Sequence, residues 1–107
     1  MMEVRPEELA EKLRRGEPVW LLDVRQEWEH QLSRLPDQAL IPLHELQQRL
    51  DEVQPPEGSL VVAYCHHGVR SLSAAVLLRQ AGFADAVSLA GGIDLWSRAI
   101  DSSVPRY

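Results

Sequence analysis

Two kinds of apolar segment alternate along the chain. Val19-Trp20-Leu21-Leu22, Ala39-Leu40-Ile41, Leu60-Val61-Val62-Ala63-Tyr64 and Ala86-Val87-Ser88-Leu89 are short runs with little or no polar alternation. They predict strands, and the run 60–64 predicts one covered on both faces, as in the middle of a parallel sheet. Between the runs, apolar residues recur one helical turn apart: Leu9 and Leu13, Trp28 and Leu32, Leu43, Leu46, Leu50 and Val53, and Ile93, Trp96 and Ile100. The first helix is the best punctuated. Pro6 suits an opening turn, Glu7 and Glu8 suit its positive end, Arg14 and Arg15 its negative end, and Gly16 can close it. Pro42 ends the strand at 39–41, and Gln54-Pro55-Pro56-Glu57-Gly58 is a turn. A helix is expected from about Ser71 to Ala81, closing at Gly82, and a last one after Gly91-Gly92. Trp20, Trp28 and Trp96 are expected to pack in or at the edge of the core, and Trp96, on a helix that follows another strand end, could also edge the cleft.

Strands alternating with helices predict an α/β fold, an open and mostly parallel sheet of about five strands with helices on both faces. Residues 1–107 are expected to form one domain. In such sheets ligands bind beyond the carboxyl ends of the strands, which directs attention to the position after Tyr64.

Composition narrows the function. With 45% hydrophobic and 25% charged residues, an ordinary folded domain is expected rather than disorder. The longest apolar run, Leu60 to Cys65, is too short for a membrane helix. Met1 to Pro6 holds no stretch of signal-peptide length, so a cytoplasmic protein without a membrane partner is expected. A net charge of -5 argues against sequence-independent nucleic-acid binding. It does not forbid an anionic substrate, because inward-facing backbone N–H groups can outweigh it locally. A single cysteine excludes an internal disulfide, a cysteine-rich zinc cage and an intramolecular redox pair. Adjacent His66 and His67 on one tight loop cannot easily surround a tetrahedral metal, and His30 and His44 lack metal-type spacing. No phosphate-loop or dinucleotide fingerprint is present, so neither metal nor cofactor is expected.

The position after Tyr64 holds Cys65-His66-His67-Gly68-Val69-Arg70-Ser71. A cysteine there faces the positive end of the following helix, and loop N–H groups can point at its sulfur; both favour the nucleophilic thiolate. Gly68 permits the backbone curl such a cradle needs. The same N–H groups could hold an anion on the nucleophile. Arg70 could aid the thiolate, attract an anionic donor, or pair with Asp23 at the neighbouring strand end. Ser71 could cap the helix or offer its hydroxyl to the sulfur, with capping preferred. Asp23 is expected to tie loops together, and Arg25 to stand on the rim. His66 and His67 are expected to act through their backbone more than their side chains.

Four segments in order resemble the rhodanese family. Leu21-Leu22-Asp23-Val24-Arg25 is similar to its LLDVR strand, and Leu35-Pro36 followed by Ile41-Pro42 to its HIPGA…IP segment. Val61 to Ser71 resembles its active-site strand and loop, and Leu89-Ala90-Gly91-Gly92-Ile93-Asp94-Leu95-Trp96 its LxGGIxxW segment. The ending 101–107 resembles rhodanese domains fused behind ubiquitin-like-protein-activating enzymes. Arg34, Asp37 and Gln38 depart from the family's His and Gly-Ala. The resemblance implies a sulfurtransferase with Cys65 as the nucleophile that becomes a persulfide, cradled by residues 66–71. It implies thiosulfate or a persulfide as donor and a thiol or cyanide as acceptor. A related reading is a carrier module that takes sulfur from a desulfurase and hands it to a sulfur-carrier or biosynthetic protein. Cysteine phosphatases of similar architecture carry one residue more between Cys and Arg, so the four residues between Cys65 and Arg70 favour sulfur over phosphate chemistry.

Overall fold

The computed structural model describes residues 1–107. Five parallel strands form one sheet in the order β1-β5-β4-β2-β3. They are β1 (Glu3–Val4), β2 (Val19–Asp23), β3 (Gln38–Leu40), β4 (Leu60–Tyr64) and β5 (Val87–Leu89). The helices are α1 (Pro6–Arg14), α2 (Glu27–Leu32), α3 (Leu43–Leu46), α4 (Val69–Gln80) and α5 (Gly92–Ala99). The expected parallel α/β architecture is thus present, with β4 in the middle of the sheet.

Side chains on β4 point alternately to the two faces, and this divides the core. Val62 and Tyr64 join Val4, Leu9, Leu21, Leu35, Val87, Leu89, Ile93 and Trp96 on the side of α1 and α5. Val61 and Ala63 join Leu22, Val24, Ile41, Leu46, Ala74 and Leu78 on the side of α3 and α4. Cys65 continues the second series one step beyond the strand. The nucleophile candidate therefore inherits its direction from the pleat of the central strand.

Two elements differ from the sequence expectation. β1 was not foreseen, because two residues carry no periodicity; it pairs with β5 at the sheet edge. The segment with helical spacing at 43–53 is one α-turn followed by a 3-10 turn over Gln47–Glu52, broken at Arg49, whose φ is -115°. No helix is long and apolar enough to cross a membrane.

Candidate active site

Cys65 lies directly after β4 and is 1% exposed. Its Sγ accepts from the Gly68 N–H at 3.1 Å and the Ser71 N–H at 3.4 Å. The Ser71 hydroxyl lies 3.4 Å from the same sulfur and 2.7 Å from the Ser88 hydroxyl on β5. The sulfur is thus packed against α4, yet two main-chain donors and one hydroxyl turn toward it.

The loop closes this tightly because of glycine at two places. Gly68 has φ +97°, and a Cβ there would meet the Gly91 nitrogen at 3.1 Å and the Leu89 oxygen at 3.3 Å. At Gly92 a Cβ would stand 2.4 Å from the His66 oxygen and 2.5 Å from the Cys65 oxygen. The first turn of α5 has N–H groups without helical partners. Ile93 N–H donates to the Cys65 carbonyl at 2.9 Å and Asp94 N–H to the His66 carbonyl at 3.1 Å. This draws both carbonyls outward and leaves the opposite side of the loop to N–H groups.

Beside the ring lies a chain of charged and phenolic groups. Arg70 gives both terminal nitrogens to Glu29, at 2.6 and 2.9 Å. Glu29, on α2, is 3% exposed and also accepts from the Tyr107 hydroxyl at 2.7 Å and the Gln26 N–H at 3.0 Å. Burial pushes the Glu29 carboxyl up. The bonds from Arg70, Gln26 and Tyr107 outweigh it and hold its pKa down at about 2. The Tyr107 hydroxyl accepts from Arg25 at 2.9 Å, and Arg25 pairs with Asp23 through two bonds of 2.9 and 2.7 Å. Arg25 and Asp23 are both fully buried. Tyr107 stacks on His66 with ring centres 3.9 Å apart and planes at 8°, and His66 stacks on His67. Burial, and then the neighbouring His67, keep the His66 imidazole below its usual range.

The structure thus brings residues 65–71 together with Asp23 and Arg25, and corrects four expectations. Arg70 pairs with Glu29 rather than Asp23, because Arg25, two residues further along the chain, already saturates that carboxylate. Arg25 is buried rather than on the rim. Ser71 does not cap α4: the helix starts at Val69 behind left-handed Gly68, which places Ser71 in the first turn with its hydroxyl toward Ser88 and the sulfur. Trp28 is 60% exposed and packs edge-on against Tyr107, while Trp96 sits in the core beside a small apolar cavity with Leu13, Val19 and Pro36, away from the loop. Glu29 and Tyr107 were missed. Glu29 offered a weak signal, as an acid on the same short helix as two apolar residues that prove exposed; Tyr107 offered none.

His66, His67 and Asp94 place ligand-type atoms within 4.8 Å of one another. They do not suit a metal. Asp94 spends its oxygens on Arg98 and Arg106, and the two imidazoles are occupied in stacking on each other and on Tyr107.

A parallel α/β sheet that offers a lone cysteine to a ring of backbone donors at its central strand end defines a class of cysteine-loop proteins. The family model described as Rhodanese-like domain matches residues 5–99, and the chain belongs to that family. It is 35% identical over 96 residues to a sulfurtransferase of Allochromatium vinosum, covering 90% of this chain and 88% of that protein. It is 36% identical over 97 residues to the adenylyltransferase and sulfurtransferase MOCS3-2 of Zea mays, covering 86% of this chain but only 20% of that protein. The fold superimposes on the crystal structure of a rhodanese-like domain protein from Staphylococcus aureus with a TM-score of 0.82. That pair is 28% identical, and the match covers 100% of this chain and 99% of that one.

Proposed function

We propose that this chain, as one unit over residues 1–107, transfers sulfane sulfur through a persulfide on Cys65. The observation that carries the reading is the pair of main-chain N–H groups, Gly68 and Ser71, directed at the Cys65 sulfur. With thiosulfate as donor, the Cys65 thiolate attacks the outer sulfur. A new S–S bond forms, the bond to the sulfonate sulfur breaks, and sulfite departs with that electron pair. The negative charge then rests on the outer sulfur of the persulfide, where N–H groups of the 66–71 loop stabilise it. A thiolate or cyanide attacks that outer sulfur, and the cysteine leaves as thiolate. Splitting the transfer through a covalent intermediate predicts ping-pong kinetics. In this reading the loop from His66 to Ser71 binds donor and persulfide, Arg70 shapes the loop from its anchor on Glu29, and the buried Asp23–Arg25 pair braces the base of the site.

The test is intact-mass analysis after incubation with thiosulfate. The wild type is expected to gain one sulfur, removed by cyanide and blocked by prior alkylation. Cys65→Ser is expected to gain none, and its retention of full turnover would end the proposal.

A second reading makes the chain a protein-to-protein persulfide carrier with little small-molecule turnover. Exposed apolar side chains beside the loop favour it: Val69 is 77% and Trp28 60% exposed. Rapid persulfide exchange with a protein donor, together with negligible thiosulfate-to-cyanide turnover, would select it.

A further inference from the structure

The segment after α5 lies beyond the residues that the family model matches, which end at 99, yet it returns to the site. Val104 is buried in the core, and its carbonyl accepts from the Ser97 hydroxyl. Arg106 donates to Asp94 at 2.9 Å. These ties deliver Tyr107 to a place between α2 and the cysteine loop. We propose that Tyr107 is a positioning residue for the Cys65 site: its hydroxyl bridges Glu29 and Arg25, its ring backs His66, and through Glu29 it anchors Arg70 and with it the Cys65 loop.

The argument is one of satisfied valences. One Glu29 oxygen accepts from Arg70 and the Gln26 N–H, and the other from Arg70 and the Tyr107 hydroxyl. Arg70 hydrogen-bonds to nothing but this carboxylate, so the guanidinium sits where Glu29 sets it. Without the phenol, one buried oxygen loses a donor, and the Arg25 Nη1 keeps only the Glu29 carbonyl at 3.4 Å. A buried polar network with a gap relaxes toward other arrangements. The residue that moves belongs to the ring itself, since Arg70 directly precedes Ser71, whose N–H donates to the Cys65 sulfur at 3.4 Å. Burial first, together with the Glu29 carboxylate, outweighs the lowering pull of the Arg25 guanidinium and pushes the Tyr107 phenol up to about 12. The hydroxyl therefore keeps its proton and donates throughout the working range.

The experiment is a double-mutant cycle on the full chain, with Tyr107→Phe and Arg70→Ala. Two rates are read: alkylation of Cys65 by iodoacetamide at neutral pH, and persulfidation by thiosulfate, split into its saturating rate and its half-saturating concentration. Circular dichroism confirms the fold of each variant. Tyr107→Phe keeps the ring and loses the bridge, and is expected to slow both rates roughly threefold in the wild-type background and not at all in the Arg70→Ala background. An equal loss in both backgrounds, or none in the wild-type one, overturns the proposal. Tyr107→Ala, which also removes the stack on His66, is expected to lose more than Tyr107→Phe. The persulfidation arm rests on the sulfur-transfer reading. If wild-type Cys65 takes no sulfur that reading fails, and the alkylation cycle alone decides the role of Tyr107.

Discussion

Replacing Gly92 with alanine tests how the loop is shaped. The added Cβ would meet the carbonyl oxygens of His66 and Cys65 at 2.4 and 2.5 Å, where ordinary contact begins at 3.4 Å, so loop and helix must part by about 1 Å. Two costs add. A non-glycine residue in the left-handed region, here φ +63°, costs about 1–2 kcal/mol. Parting the segments weakens the bonds from Ile93 and Asp94 N–H to the loop carbonyls, at about 1 kcal/mol each. The sum, about 3–4 kcal/mol, corresponds to a fall in Tm of roughly 15 °C or more for a domain of this size. Gly58→Ala is the control. Gly58 has φ +84° with nothing within 4 Å of a Cβ, so it bears the conformational cost alone. Urea denaturation followed by tryptophan fluorescence measures both. Gly92→Ala should lose about twice as much stability as Gly58→Ala and should also slow alkylation of Cys65. Equal losses would mean that crowding against the loop is not what requires glycine at 92, and the account of the outward-drawn carbonyls would be wrong.

The buried ion pair gives a second expectation. Arg25→Met leaves the buried Asp23 carboxylate without its counter-charge, with only the Tyr64 hydroxyl and the backbone N–H of residue 25 as donors, and urea denaturation should show a loss of about 3–5 kcal/mol. Removing both charges in Arg25→Met with Asp23→Leu should cost less than the sum of the single losses. Glu29 gives a third, in pH. Its folded pKa, about 2, is depressed below the ordinary carboxylate value of 4.5. Its ionised form therefore contributes stability above that ordinary value, and the contribution is lost as the pH falls toward 2, on the order of 3 kcal/mol in all. Denaturation midpoints across this acid range should fall more steeply for the wild type than for Glu29→Gln; parallel curves would refute the assignment.

The sheet and the cysteine loop were legible because they rest on contiguous signals: unbroken apolar runs for β2 and β4, a short run broken only by Ser88 for β5, and a polar loop with glycine directly after the central strand. What escaped depends on side chains far apart in the chain. Trp28 and Leu32 mark a helix by their spacing, but they occupy its solvent side, because the inward side carries Glu29, held by an arginine 41 positions away. The buried acid reverses the usual reading of a short amphipathic helix. The partner of Arg70 could not be inferred from strand ends, since Asp23 is taken by its near neighbour Arg25. Ser71 looked like a cap because serine favours that position, but the ring geometry advances the helix start to the residue after Gly68. Tyr107 joins the site only through the folded path of residues 100–107, which has no periodicity to read.

The outermost strands of the sheet are β1, of two residues, and β3, of three. An edge with so few open backbone groups is a poor template for a neighbouring chain, so strand addition along either border gains only a handful of hydrogen bonds. The long strands that could nucleate such growth are all shielded in the interior of the sheet. This molecule should therefore resist sheet-to-sheet aggregation even when crowded.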